Sequence, residues 1–183
     1  LSGASGELVI LDRDGVINFD SAEYIKTPDE WRPLPGSPEA IAALSGAGFR
    51  VVVASNQSGV GRGLFTEAAL AAIHARMRGT IEAAGGTLSG IYYCPHRPDE
   101  GCDCRKPAPG LLLRISRDFG QSLRGVPFIG DKPSDIEAAL AVGARPILVR
   151  TGDGQRTARL IDDSDLEIFD DLAGAAARLL GER

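Results

Sequence analysis

Apolar runs that stop at polar or glycine-rich loops recur along this chain, and between them lie segments whose apolar residues fall three and four apart. The first run, Leu8-Val9-Ile10-Leu11, breaks directly into Asp12-Arg13-Asp14-Gly15. An unbroken apolar run of that length reads as a strand buried on both faces, as in a parallel sheet. Phe49–Ala54, Ile91–Tyr93, Val126–Ile129 and Pro146–Val149 have the same character and are expected as strands. Helical spacing is clearest at Leu70, Ile73, Met77 and Ile81, behind an N-cap at Thr66. Ser37 as N-cap with Pro38 behind it predicts a helix that Gly48 ends. Pro109 and Gly110 open another, with Leu112, Ile115 and Phe119 on one face, and Ser134-x-x-Glu137 has capping-box spacing for the next. Glu167-Ile168-Phe169 and a helix from about Asp171 to Leu180 close the chain. Strands alternating with helices predict a single α/β domain over residues 7–183, built on a doubly wound, Rossmann-like parallel sheet. Residues 1–6 are expected to be a flexible end.

In such sheets ligands bind in the crevice at the carboxyl ends of the strands. Those ends carry Asp12 and Asp14, then Ser55 and Asn56, then Asp131, and Lys106 follows the third strand closely enough to reach the same edge. The segment 18–36, with Pro28, Pro33, Pro35 and Gly36, leaves the first strand beside the two aspartates and is expected to line the site. Carboxylates hold a hard cation such as Mg²⁺, while a lysine and the free amides of the Ser55–Gly63 turn hold an anion. A phosphoryl group bridging the two satisfies both. Phosphate monoester hydrolysis requires acceleration of up to ~10²¹-fold, far beyond the roughly 10²–10⁴ that one positioned acid or base supplies. A carboxylate nucleophile that splits the reaction through an aspartyl-phosphate fits that demand.

The three cysteines all lie between residues 94 and 104. Cys94, His96, Cys102 and Cys104 make a complete tetrahedral set for Zn²⁺, and a site with no open position reads as structural, a staple for the loop that delivers Arg105 and Lys106. The composition, 183 residues with a net charge of −5, argues against nucleic acid or an acidic membrane as the main partner. No apolar run approaches the ~20 residues of a membrane span, and no basic-plus-apolar leader is evident, so a cytoplasmic protein is expected. His74 reads as a surface or core histidine, Met77 as core, and Arg62 and Arg97 as solvated charges.

Asp12-Arg13-Asp14-Gly15-Val16-Ile17, Ser55-Asn56-Gln57, Lys106 and Gly130-Asp131 resemble, in order, the four motifs of the haloacid dehalogenase (HAD) phosphatase superfamily. Three longer stretches, Asp12 to Asn18, Ser55 to Gly63 and Cys94 to Gly110, together with Gly130-Asp131-Lys132, resemble the heptose 1,7-bisphosphate 7-phosphatase family within it. The resemblance covers about residues 8 to 180. It implies the HAD fold and a Mg²⁺-dependent phosphatase acting on a small phosphosugar, on the way to activated heptose for lipopolysaccharide or surface-layer glycans. It implies Asp12 as nucleophile, Asp14 as general acid and then base, and Ser55 and Lys106 as phosphoryl binders. Mg²⁺ would be held by Asp12, Asp131 and the Asp14 backbone carbonyl, with Asp135 at the second acidic position of the fourth motif. Arg105 matches a substrate-binding arginine, able to grip the non-reacting phosphate bidentately. Asn56, Lys132 and the loop residues Asp20, Ser21 and Glu23 are the remaining candidate substrate contacts. The gap between Asp14 and Ser55 leaves no room for a large cap domain. A monomer is expected. Histidinol-phosphate phosphatase is the nearest alternative. A polynucleotide 3′-phosphatase fits the acidic chain poorly, and a non-catalytic zinc-stapled binding module on the same fold is the alternative of another class.

Overall fold

Six strands, all parallel, form one sheet in the order β3-β2-β1-β4-β5-β6. In the computed structural model, which describes residues 6–161 and 164–182, they are β1 (Leu8–Leu11), β2 (Arg50–Asn56), β3 (Gly90–Cys94), β4 (Pro127–Gly130), β5 (Arg145–Val149) and β6 (Glu167–Phe169). The helices are α1 (Ser37–Gly46), α2 (Ser58–Gly61), α3 (Glu67–Ala83), α4 (Gly110–Phe119), α5 (Pro133–Ala141), α6 (Gly154–Leu160) and α7 (Leu172–Leu180). The chain moves outward from β1 through β2 to β3, then returns to lay β4 on the other side of β1. Consecutive crossovers therefore diverge at β1, and a crevice opens outside its carboxyl end.

The unbroken apolar run of β1 is explained by its central place: Leu8, Val9, Ile10 and Leu11 are all fully buried. Alternate residues serve opposite faces. Val9, Leu11, Val51, Val53, Ile129, Ile147 and Val149 join the core that α1, α3 and α7 cover. Leu8, Ile10, Val52, Ala54 and Phe128 join the core under α4 and α5. Burying each such aliphatic side chain contributes about 1.5–3 kcal/mol, so two filled faces fix the direction of β1. The register Leu11↔Val53 and Leu11↔Ile129 then brings the segments beginning at Asp12, Ala54 and Gly130 to one level of the sheet edge.

Leu70, Ile73, Met77 and Ile81 form the fully buried stripe of α3, and the Thr66 hydroxyl accepts from the Ala69 amide as its cap. Two helix starts differ from expectation. Ser37 is the first residue of α1 rather than its cap: Gly36 (φ 78°) turns the chain, and the Ser37 hydroxyl donates to the Val16 carbonyl at 3.0 Å instead. At α5 the Ser134–Glu137 capping box is not formed. The Asp135 carboxylate receives the Lys132 amide at 3.0 Å, so the cap sits two positions earlier, at Lys132, and uses a different acid. The turn after Ser55 contains α2, and α6 follows β5, both unanticipated because neither carries an apolar stripe long enough to show a period. Of the segment expected to be flexible, residues 1–5 lie outside the described residues, while the Gly6 carbonyl accepts from Arg50 Nε at 2.7 Å. Among the described residues no helix is long and apolar enough to cross a membrane, and the stretch between Asp14 and Ser55 holds loop, a short 3₁₀ turn, α1 and the start of β2, with no inserted cap domain.

Candidate active site

β1 ends at Leu11, and the next peptide leaves the sheet in a turn: Val16 and Ile17 amides return to the Arg13 carbonyl at 3.3 and 2.8 Å, with Gly15 at φ 85°. This turn sets Asp12 and Asp14 apart. The Asp12 carboxylate, nearly buried, lies 3.1 Å from the Lys106 ammonium. The same ammonium lies 2.7 Å from Asp135 Oδ1 and donates to the Ala54 carbonyl at 2.7 Å. Burial pushes the Asp12 carboxyl up to about 6, against the pull of Lys106. Burial works against the Lys106 ammonium too, but the Asp12 and Asp135 charges outweigh it and hold the lysine protonated.

Asp14 has a different environment. Arg13 Nε and a terminal nitrogen donate to its Oδ1 at 3.0 and 2.9 Å, Asn18 Nδ2 donates to the same oxygen at 2.8 Å, and Gln57 Nε2 donates to Oδ2 at 2.8 Å. Burial opposes its charge, yet the Arg13 guanidinium and these hydrogen bonds win and lower its pKa below the usual carboxylate value. Arg13 itself is 1% exposed. Arg13, Asn18 and Gln57 escaped the sequence analysis as site residues. The signal was present, an arginine between two aspartates at a strand end and an amide two residues after Ser55, but residue type alone did not show that they face Asp14.

A cleft of about 410 Å³ opens over these groups, lined by Asp12, Asp14, Asn56, Arg105, Lys106 and Lys132 among others. Asp20 and Ser21 join its lining, whereas Glu23 is exposed outside it. Tyr24 lines it at φ 64°, a left-handed conformation uncommon for a tyrosine and of the kind that gathers at functional sites. Ser55 is buried beneath, its hydroxyl oxygen accepting from Gln57 Nε2 at 2.8 Å.

Asp131 is fully buried, and burial together with the Asp12 charge raises its carboxyl to about 7. Carboxylate oxygens of Asp12, Asp131 and Asp135 lie within 4.8 Å of one another. Three buried acids this close cannot all ionise cheaply without a cation, and an all-oxygen set is the donor chemistry of Mg²⁺. The Asp14 side chain is not in this group, since Arg13, Asn18 and Gln57 engage it. The role of Asp135 is more than a helix cap: one oxygen takes the Asp131 and Lys132 amides and the other faces Lys106. The Lys132 ammonium lies 3.0 Å from Asp131 and 3.1 Å from Asp20.

The third strand ends at Cys94, and the loop beyond it folds back on itself. Cys94 Sγ lies 3.6 Å from Cys102 Sγ, 3.2 Å from Cys104 Sγ and 3.6 Å from His96 Nδ1, which is 3.3 Å from Cys104 Sγ. A tetrahedron with Zn–S of about 2.3 Å has edges of about 3.7 Å, so the four donors fit zinc with slight contraction. The loop is tied to the turn after β2 as well: the Gln57 amide donates to the Cys94 carbonyl at 2.7 Å, and the Gly61 amide of α2 to the Pro95 carbonyl at 2.9 Å.

A nearly buried carboxylate under a lysine, beside a second acid and a cluster of carboxylate oxygens able to hold a metal ion, at the carboxyl edge of a 3-2-1-4-5-6 sheet, defines a phosphohydrolase of the HAD type. A family model described as HAD-hydrolase-like matches residues 103–175. The chain is 56% identical over 174 residues to a D-glycero-β-D-manno-heptose-1,7-bisphosphate 7-phosphatase of Pseudomonas putida, covering 95% of this chain and 99% of that protein. It is 54% identical over 176 residues to one of Pseudomonas aeruginosa, covering 96% and 99%. The solved structure of the D,D-heptose 1,7-bisphosphate phosphatase from Bordetella bronchiseptica, complexed with magnesium and phosphate, superposes with a TM-score of 0.94 at 47% identity, covering 97% of this chain and 99% of that one. The chain belongs to the heptose 1,7-bisphosphate 7-phosphatase family of HAD phosphatases.

Proposed function

We propose that this enzyme removes the 7-phosphate of D-glycero-β-D-manno-heptose 1,7-bisphosphate, with Mg²⁺ as cofactor and structural zinc, on the route to activated heptose in the cytoplasm. The observation that supports it most is the Asp12–Lys106 pair at 3.1 Å on the floor of a cleft whose wall carries a second cation, Arg105. One end of a bisphosphate then meets nucleophile and lysine while the other meets a guanidinium. The β configuration follows the substrate named for the relatives.

Asp12 attacks phosphorus through a carboxylate oxygen as the bond to the sugar C7 oxygen breaks, and Asp14 gives that oxygen its proton. Asp14 then takes a proton from water, which attacks the aspartyl-phosphate and frees Asp12 and inorganic phosphate. Lys106 and Ser55 hold the phosphoryl oxygens. Asp12, Asp131, Asp135 and the Asp14 carbonyl are the groups that would hold Mg²⁺, which when bound offsets charge on the nucleophile and the transferring phosphoryl. Arg13, Asn18 and Gln57 favour the ionised Asp14, so the proton it donates is taken up as a dianionic phosphate enters beside it and raises its proton affinity.

The test is phosphate release with Mg²⁺ from both anomers of heptose 1,7-bisphosphate, fructose 1,6-bisphosphate and histidinol phosphate. A preference of about 100-fold in kcat/KM for the β anomer, roughly 2.7 kcal/mol, is expected. A preference for histidinol phosphate would overturn the substrate, and Asp12→Asn with unchanged turnover would overturn the mechanism.

A further inference from the structure

Among the described residues, Gln57 is the one uncharged side chain that hydrogen-bonds Arg13, Asp14 and Ser55 together, and it is 4% exposed. Its carboxamide has no freedom to turn. Oε1 accepts from Arg13 at 3.2 Å, while Nε2 donates to Ser55 Oγ and to Asp14 Oδ2, each at 2.8 Å. Turned over, the amide would set its oxygen against the Asp14 carboxylate and its NH₂ against the guanidinium, losing both charged contacts. Its backbone is fixed as well, since its amide donates to the carbonyl of Cys94, the residue that ends β3. The carboxamide is therefore a rigid bracket on Asp14 Oδ2, an oxygen that Arg13 also reaches at 3.0 Å but that Asn18, which donates to Oδ1, does not; Gln57 holds that guanidinium as well.

We infer that Gln57 is a positioning residue for Asp14: its side-chain N–H fixes the plane of the carboxyl, so that the proton passes to the leaving oxygen as the phosphorus–oxygen bond breaks. The inference rests on the aspartyl-phosphate reading above, with Asp14 as the acid. Proton donation matters most for a poor leaving group and little for a good one, so the effect of losing Gln57 depends on the ester.

The experiment is single-turnover release of the leaving group from phenyl phosphate and from p-nitrophenyl phosphate, with Mg²⁺, in wild type, Gln57→Met and Gln57→Glu. Methionine keeps the length without a donor, and glutamate keeps the shape while placing an oxygen against Asp14. Losing the alignment part of a general-acid effect is expected to slow phenol release about 30-fold or more, with p-nitrophenolate release slowed less than about 3-fold and KM for either ester changed little. Equal slowing of both esters in a variant that unfolds at the wild-type temperature would overturn the inference, as would a change in KM alone or no change. Where Gln57→Met fails to fold, Gln57→Glu gives the same comparison. Wild type that cleaves the aryl esters but not heptose bisphosphate would count against the substrate and leave this test intact.

Discussion

The Asn56 side chain holds both backbone polar groups of Lys106: Nδ2 donates to the Lys106 carbonyl and Oδ1 accepts from its amide, each at 3.0 Å. A carboxamide used this way imitates a neighbouring strand, and it pins the base of a lysine whose ammonium must reach Asp12. Asn56→Ala is expected to cost about 1–3 kcal/mol of stability, the worth of two partly buried hydrogen bonds, and to lower kcat/KM by up to about 100-fold through misplaced Lys106. Asn56→Asp keeps the acceptor and loses the donor, so it should fall between the two. Thermal unfolding and steady-state kinetics check this, and wild-type kinetics in Asn56→Ala would remove Asn56 from the support of Lys106.

Lys106 has a second support two residues upstream, at Cys104. Holding Cys94, His96, Cys102 and Cys104 on one ion would close the loop that ends at Lys106, so Cys102→Ser or chelation of zinc is expected to raise hydrogen exchange across residues 95–108 before the sheet loses protection. Affinity for inorganic phosphate should fall with it. Unchanged exchange in this loop after zinc loss would mean that Asn56 and the Pro95–Gly61 contact suffice.

Burial raises Asp12 from 3.8 to about 6 and Asp131 from 3.8 to about 7. Between about pH 4 and pH 7 the folded, Mg²⁺-free protein thus holds more protons at these sites than the unfolded chain, and their contribution to stability declines as pH rises through that window. Asp14, whose pKa is lowered, has the opposite sign: its contribution is present above pH 3.8 and is lost on further acidification. Mg²⁺ offered to the zinc-loaded protein should therefore stabilise it more at pH 7.5 than at pH 5. At a hundred times its dissociation constant the gain is about 2.7 kcal/mol, or about 5–10 °C in Tm for a chain of this size. Equal increments at the two pH values would show that the acids are not the ligands.

The apolar runs and the three-four spacing of α3 made the sheet and its helices legible, because β1 is buried on both faces and α3 on one stripe. The chemistry-bearing ends of β1, β2 and β4 were legible for the same reason: parallel strands deliver their carboxyl ends to one edge. Less legible were contacts decided by side-chain direction. Arg13 stands between two aspartates in sequence with nothing to give its direction, and it turns inward onto Asp14. Ser134 and Glu137 have the spacing of a cap that Asp135 takes instead, because its carboxylate also reaches the Asp131 amide. Glu23 sits two residues from Ser21 but is exposed outside the cleft lining, a matter of local turn geometry that composition does not encode.

Gly15 and Gly152 lie side by side against Asp131 Oδ2. Both have positive φ, 85° and 57°, and a methyl group at either would overlap the Asp131 carboxylate. The carboxylate cannot retreat, since its Oδ2 also receives the Asp153 amide at 2.8 Å and the residue is fully buried. Gly15→Ala therefore combines a left-handed backbone, about 1–2 kcal/mol for an L-residue, with displacement of an acid in the proposed Mg²⁺ set. Gly63 offers the control: its φ of 70° carries the same backbone penalty, but nothing lies within 4 Å of a methyl there. Gly63→Ala should lose stability without losing Mg²⁺ affinity, whereas Gly15→Ala should lose both, with Mg²⁺ binding weakened at least tenfold, about 1.4 kcal/mol, by calorimetric titration. If the two variants bind Mg²⁺ alike, Asp131 tolerates the added methyl and the glycine at position 15 serves the turn alone.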